Sequence, residues 1–104
     1  MKRTHDCGQL TPAHIGQKVR LMGWAHTIRD HGGVLFVDLR DRSGLAQLVF
    51  QEGAAREQAK EIGLEFVIDA QGQVRARPAG TENTDMPTGG IEIAIESFKI
   101  LNTS

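Results

Sequence analysis

Phe36 stands between Leu35 and Val37 in the alternating run Val34-Leu35-Phe36-Val37-Asp38-Leu39-Arg40. Successive strand side chains point to opposite faces. If Leu35, Val37 and Leu39 face a core, Phe36 faces outward. A ring left outside forgoes burial, but a nucleic-acid base can stack on it, worth roughly 1–3 kcal/mol per base. Alternation alone leaves the opposite assignment open, with Phe36 in the core. By the same reasoning Gln47 turns away from Ala46 and Leu48, and its amide offers donors and an acceptor suited to a base edge. Arg75 and Arg77 oppose Val74 and Ala76, and guanidinium groups pair with phosphates or stack on bases. Glu92 opposes Ile91, Ile93 and Ile95, and a carboxylate accepts a cytosine amino proton. Each residue type is commonplace on a surface. Together, beside an outward aromatic, they describe a surface for single-stranded nucleotides.

Little else in the chain offers chemistry. There is no Gly-rich phosphate loop ending in Lys-Ser/Thr and no His-Glu-x-x-His run. Asp30-His31 resembles an acid–base pair on paper, but beside Gly32-Gly33 the two read as turn residues. His14 and His26 have no evident partner. His5 and Cys7 lie close together, yet two such ligands without a second cluster make a poor zinc site, so no metal site is expected. Cys7 is the single cysteine, which excludes an internal disulfide and fits a reducing compartment.

The elements that must position these residues are mostly strands. Val19, Leu21, Gly23 and Ala25 alternate with Arg20, Met22, Trp24 and His26, which predicts a first strand over 17–28. Asp30-His31-Gly32-Gly33 is a turn signal. A second strand is expected over 34–40, a turn at Asp41-Arg42-Ser43-Gly44, and a third strand from Leu45 to about Phe50. Ala55, Ala59 and Ile62 then recur at helical spacing among Glu and Lys residues, predicting a short amphipathic helix closed by Gly63. Residues 66–77 read as a fourth strand, bent near Gly72. Residues 78–90, rich in Gly and Pro, read as a loop, and Ile91-Ile93-Ile95 as a fifth strand. Five strands with one short helix between the third and fourth is the order of an all-β, Greek-key OB barrel. A parallel α/β fold would need repeated helical crossovers.

A chain of 104 residues fits one domain, expected over 1–104. No apolar run approaches the roughly 20 residues of a membrane span. The first residues lack the apolar centre of a signal peptide, so the expected location is the cytoplasm. A net charge of −1 argues against strong non-specific duplex binding. The charges are uneven, however. Lys18, Arg20, Arg29, Arg40 and Arg42 lie in the first half and Arg75 and Arg77 later, with Glu52, Glu57, Glu61 and Glu65 between. A basic face opposite an acidic helix is compatible with a local RNA site.

Several stretches carry a family resemblance. Arg3-Thr4-His5-Asp6-Cys7-Gly8-Gln9-Leu10 resembles the opening of bacterial aspartyl-tRNA synthetases. So do Gly23-Trp24 and the run from Arg29 through Asp30-His31-Gly32-Gly33 to Arg42. Val74-Arg75-Ala76-Arg77-Pro78 and Pro87-Thr88-Gly89-Gly90-Ile91-Glu92 match as well, so the likeness covers nearly the whole chain in order. It implies an N-terminal anticodon-binding OB domain. In that family the second-strand aromatic, here Phe36, stacks on the central anticodon base, and the third-strand glutamine, here Gln47, contacts the same region. The resemblance also assigns RNA-binding roles to Arg29, Arg77 and Glu92. Of these five, Arg29 enters from the resemblance alone. His31 in the turn and Gly80 in the last loop resemble the form that accepts both aspartate and asparagine tRNAs. Gly80 would remove bulk that enforces selection.

Where many relatives carry an arginine run, this chain has Thr27-Ile28-Arg29, implying fewer phosphate contacts. The family's ATP- and magnesium-dependent attachment of aspartate to tRNA belongs to a larger catalytic domain, absent here, through which the parent forms homodimers. No cofactor is expected in this part, which is expected to be non-catalytic and monomeric alone. Two other readings stay open: a general single-stranded nucleic-acid binder, and a protein-interaction barrel, which an acidic sheet around Phe36 would favour.

Overall fold

The computed structural model describes residues 3–51, 53–78, 80–81 and 88–103, with only the backbone described at Ala54 and Ala55. Five strands form a closed barrel: β1 (Lys18–His31), β2 (Val34–Asp41), β3 (Gly44–Phe50), β4 (Val67–Ala76) and β5 (Ile91–Asn102). Around the barrel they run β1-β2-β3-β5-β4, with β4 closing on β1. The β3–β5 pairing is parallel and the other pairings are antiparallel. A helix, α1 (Ala54–Ala59), lies between β3 and β4, where the 3.6 period replaces the alternation. This is the OB architecture. Closure leaves no long unpaired edge in a mostly-strand chain.

The core is built from the alternating positions. Leu21, Ala25, Val37, Leu39, Ala46, Leu48, Phe50, Ile68, Val74, Ile91 and Ile93 are all buried. Ala59 and Ile62 both pack into the core, but the helix is shorter than expected: it ends at Ala59 with Lys60 as its cap, so Ile62 lies beyond it and Gly63 does not close it. Phe50 and Phe98 meet edge to face at 5.3 Å, a favoured aromatic geometry.

Three differences from the expected elements have local causes. First, Asp30 and His31 belong to β1, because Gly32 and Gly33 alone make the turn: His31 pairs with Val34. Their φ angles of 59° and 95° are what a two-residue hairpin loop demands and glycine supplies without strain. Second, β1 carries a bulge at His26, since Ala25 pairs with Leu39 and Thr27 with Asp38. One extra residue swaps the faces of everything after it. Third, β5 runs on to Asn102 because Glu96 is a second bulge, with Gly72 opposite Ile95 and Gln71 opposite Ser97. The inward positions shift there from Ile93 to Phe98 and Ile100. Gly72 is required at that bend, since a Cβ would lie 2.3 Å from the Ala94 carbonyl oxygen.

The N-terminal segment is tied to the β2–β3 turn. The 3₁₀ turn Cys7–Gln9 donates its Cys7 N–H to Asp41 Oδ2 at 2.7 Å and its Gly8 N–H to Ser43 Oγ at 2.7 Å. Cys7 is fully buried, and burial, reinforced by the Asp41 charge, pushes its thiol pKa well up. The Cys7 and His5 side chains therefore go separate ways, Cys7 into the core and His5 beside Thr4. The loop expected over 78–90 is described only in part. Asn83, Asp85 and Pro87 lie outside the described residues, as does Glu52 of the acidic group.

Candidate nucleic-acid interface

A cleft of about 440 Å³ opens on the outer face of the barrel, lined among others by Arg29 of β1, Phe36 of β2, Gln47 of β3, Arg75 of β4 and Glu92 of β5. Strand alternation assembles it. On β2 the core takes Leu35, Val37 and Leu39, which leaves Phe36 and Asp38 facing out. On β3 the core takes Ala46, Leu48 and Phe50, which leaves Gln47 and Val49 beside Asp38 and Phe36. Phe36 is half-buried and lines the cleft, so the assignment that would make it core is excluded.

Arg29 reaches the cleft only because of the bulge at His26. The inward set Val19, Leu21, Ala25 would carry odd numbering through Arg29; the bulge gives that side to Ile28 instead. Arg29 then stands opposite Phe36, with its guanidinium 6.0 Å from the ring centroid. Alternation from the first strand therefore misplaces Arg29. The signal that finds it is the hairpin: a two-residue turn at Gly32-Gly33 pairs residue 29 with residue 36.

The polar groups are knitted together. Thr27 Oγ1 donates to Asp38 Oδ2 at 2.7 Å, and Arg29 Nη1 donates to the same oxygen at 3.1 Å. Arg29 Nη2 donates to Gln47 Oε1 at 3.0 Å, and Gln47 Nε2 donates to Glu92 Oε1 at 3.2 Å. Arg75 Nε donates to Glu92 Oε2 at 2.6 Å. Simple alternation predicts exposed readers, whereas Gln47 is 7% exposed and Glu92 2%. They do face outward, but neighbouring guanidinium groups cover them, as a carboxylate on a sheet requires when water is displaced. Each retains capacity. An amide has two donors and two acceptor lone pairs, so Gln47 keeps one of each for a ligand.

Arg77 also differs from the outward placement expected of it. It follows the end of β4, is 8% exposed, and donates Nε to the Ile91 carbonyl at 2.8 Å. Its Nη2 is buried without a hydrogen-bond partner among the described residues. Burial lowers the pKa of this guanidinium and Arg29 adds to that, while Asp38 and Glu92 oppose it. Two guanidinium groups, Arg29 and Arg75, thus line the cleft around Phe36 against one carboxylate, Glu92, with Asp38 and the buried Arg77 close behind.

His31, exposed at the end of β1, meets Phe36 edge to face at 5.8 Å. Asp30 points to the other side of the strand, 3.9 Å from Arg56, so Asp30 and His31 cannot act as an acid–base pair. Gly80 falls between Pro78 and Thr81, both of which line the cleft. The Thr81 N–H donates to the Pro78 carbonyl at 3.0 Å, closing a turn in which Gly80 has φ +88°. Glycine is favoured there by the backbone, and a Cβ would meet nothing within 4 Å among the described residues. Asp38, Thr27, Val34, Val49 and Gln51 belong to this region without having been singled out from sequence. Asp38 was legible, two residues from Phe36 on the same strand.

Comparisons with known proteins agree with this geometry. Residues 19–101 match the tRNA anti-codon model, described as an OB-fold nucleic acid binding domain. The chain is 53% identical, over its whole length, to an aspartate–tRNA(Asp/Asn) ligase of Dictyoglomus turgidum, but spans only 18% of that relative. An asparaginyl-tRNA synthetase of Pyrococcus horikoshii, solved with asparaginyl-adenylate, superposes with a TM-score of 0.80 at 27% identity, covering 100% of this chain and 23% of that one. OBody AM1L10, solved bound to hen egg-white lysozyme, superposes with a TM-score of 0.83 at 26% identity, covering 100% of this chain and 96% of that one.

Proposed function

Because the chain belongs to the tRNA anti-codon family of OB-fold nucleic acid binding domains, we propose that it reads the anticodon of tRNA(Asp) as the recognition domain of an aspartate–tRNA ligase. The observation that carries this reading is the half-buried Phe36 ring, set in a cleft beside the Gln47 amide and the Arg29 and Arg75 guanidinium groups, with Arg77 buried near Glu92. A splayed-out base stacks on the ring and presents its edge to Gln47 and Glu92, while Arg29, Arg75 and Arg77 supply positive charge for the backbone. These roles for Arg29, Phe36, Gln47, Arg77 and Glu92 are inferred from placement and chemistry. The aspartylation itself, with its ATP and magnesium, belongs to the rest of the parent enzyme, a cytoplasmic homodimer. This domain alone binds tRNA as a monomer and attaches nothing to it.

The reading extends to tRNA(Asn). The Dictyoglomus relative is named for both tRNAs. His31 lies at the edge of Phe36, and Gly80 stands without a side chain between the cleft-lining Pro78 and Thr81. Competition binding tests both levels. An aspartate-tRNA anticodon hairpin should displace a labelled copy of itself far better than a random oligonucleotide, and the asparagine hairpin should compete within a few-fold of it. Equal competition by the random oligonucleotide would favour general single-strand binding. A large preference for the aspartate hairpin would remove the dual specificity alone. The lysozyme-bound OBody gives the protein-interaction reading its one support; failure of every RNA to bind would favour it.

A further inference from the structure

A glutamine that reads a base must face one way. Turning its amide over exchanges donor for acceptor, and so exchanges the base edge it accepts. In this cleft the two ends of the Gln47 amide have opposite neighbours. Oε1 receives Arg29 Nη2 and Nε2 donates to Glu92 Oε1. The reversed amide would set its NH₂ against a guanidinium and its oxygen against a carboxylate, losing both bonds. Glu92 is held in turn by Arg75. Arg29 is the looser guard, since its side chain is 41% exposed.

What holds Arg29 is Asp38. One carboxylate oxygen accepts from Arg29 Nη1, leaving Nη2 aimed at Gln47, and the same oxygen accepts the Thr27 hydroxyl. Asp38 is 9% exposed and is not among the residues lining the cleft. We propose that Asp38 is a positioning residue that fixes, through Arg29, which way round the Gln47 amide faces, and thereby which base the cleft accepts. This rests on the anticodon-reading function proposed above.

The variant Asp38→Asn keeps the shape and removes the charge. Binding of anticodon hairpins that differ only in the central base gives its discrimination ratio. We expect that ratio to shrink by about tenfold, within the range that one bidentate amide contact discriminates, while binding of a random oligonucleotide stays unchanged. Equal weakening for every hairpin would overturn the proposal and leave Asp38 a mere support. Thr27→Val, which removes only the hydroxyl donor, should move the ratio the same way by less, and serves if Asp38→Asn does not fold. A second readout needs no RNA. In the free wild-type domain the Gln47 side-chain NH₂ should give one pair of NMR signals with protected exchange. In Asp38→Asn the protection should fall. Two sets of signals, or unprotected exchange, in the wild type would also overturn the proposal. If the wild type binds no hairpin yet keeps the protected amide, the anticodon reading fails while the relay stands.

Discussion

At the scale of the residue, the proposed function rests on a ring that lies outside the core cluster. Phe36 packs on the outer face, so Phe36→Ala should leave the barrel's thermal unfolding close to that of the wild type and weaken hairpin binding by roughly 1–3 kcal/mol, measured by fluorescence titration. A large drop in melting temperature would instead make the ring structural. This orientation was legible in sequence only as one of two choices: alternation puts Leu35, Val37 and Leu39 on one face and Phe36 on the other, and burial in the structure decides which face is inside. What alternation does not show is cover. Gln47 and Glu92 face outward yet are nearly buried, because Arg29 and Arg75 lie against them. Side-chain reach across neighbouring strands sets that burial, and period-2 patterning contains no information about it.

At the scale of the element, small irregularities decide which residues meet. The bulge at His26 turns Arg29 from the core side to the cleft, and the bulge at Glu96 lets β5 continue with Phe98 and Ile100 inward. The five strands, the helix and the turn glycines were readable from periodicity. The bulges were not, since a single extra residue leaves each half of the strand with a normal pattern. Its trace is only a change of phase, between Ala25 and Ile28 and between Ile95 and Phe98. The contact between the N-terminal segment and the β2–β3 turn carries its own prediction. Burial raises the Asp41 pKa, but hydrogen bonds from the Ser43 hydroxyl and the Cys7 and Ser43 N–H groups outweigh it and hold the carboxyl below its usual range. A pKa lowered by folding adds stability that is present above the ordinary carboxylate value of about 4 and is lost as pH falls through the lowered one. Denaturant unfolding followed from pH 7 downward should therefore show wild-type stability declining below about pH 4, and Asp41→Asn should start lower at pH 7 and decline less. A variant with the wild-type pH profile would show that the contact contributes nothing.

At the scale of the whole molecule, a net charge of −1, a cleft lined by two arginines and a third arginine buried nearby fit a binder that uses charge locally. Each phosphate contact on a single strand contributes about −0.7 to the slope of log affinity against log salt, so three contacts give a slope no steeper than about −2. Titrations at increasing salt should stay within that bound; a much steeper slope would mean that other basic residues, such as Arg40 and Arg42, carry the strand. The barrel supplies rigid strands, and its closed sheet holds β2, β3 and β5 so that ring, amide and carboxylate share one cleft. The most direct test of that arrangement is titration of the domain with four anticodon hairpins identical except at the central base. One base should bind at least about tenfold more tightly than the other three, as expected for an amide reading a stacked base edge, and Phe36→Ala should weaken that hairpin most. Four equal affinities, untouched by the loss of the ring, would contradict the assignment of this cleft to the anticodon.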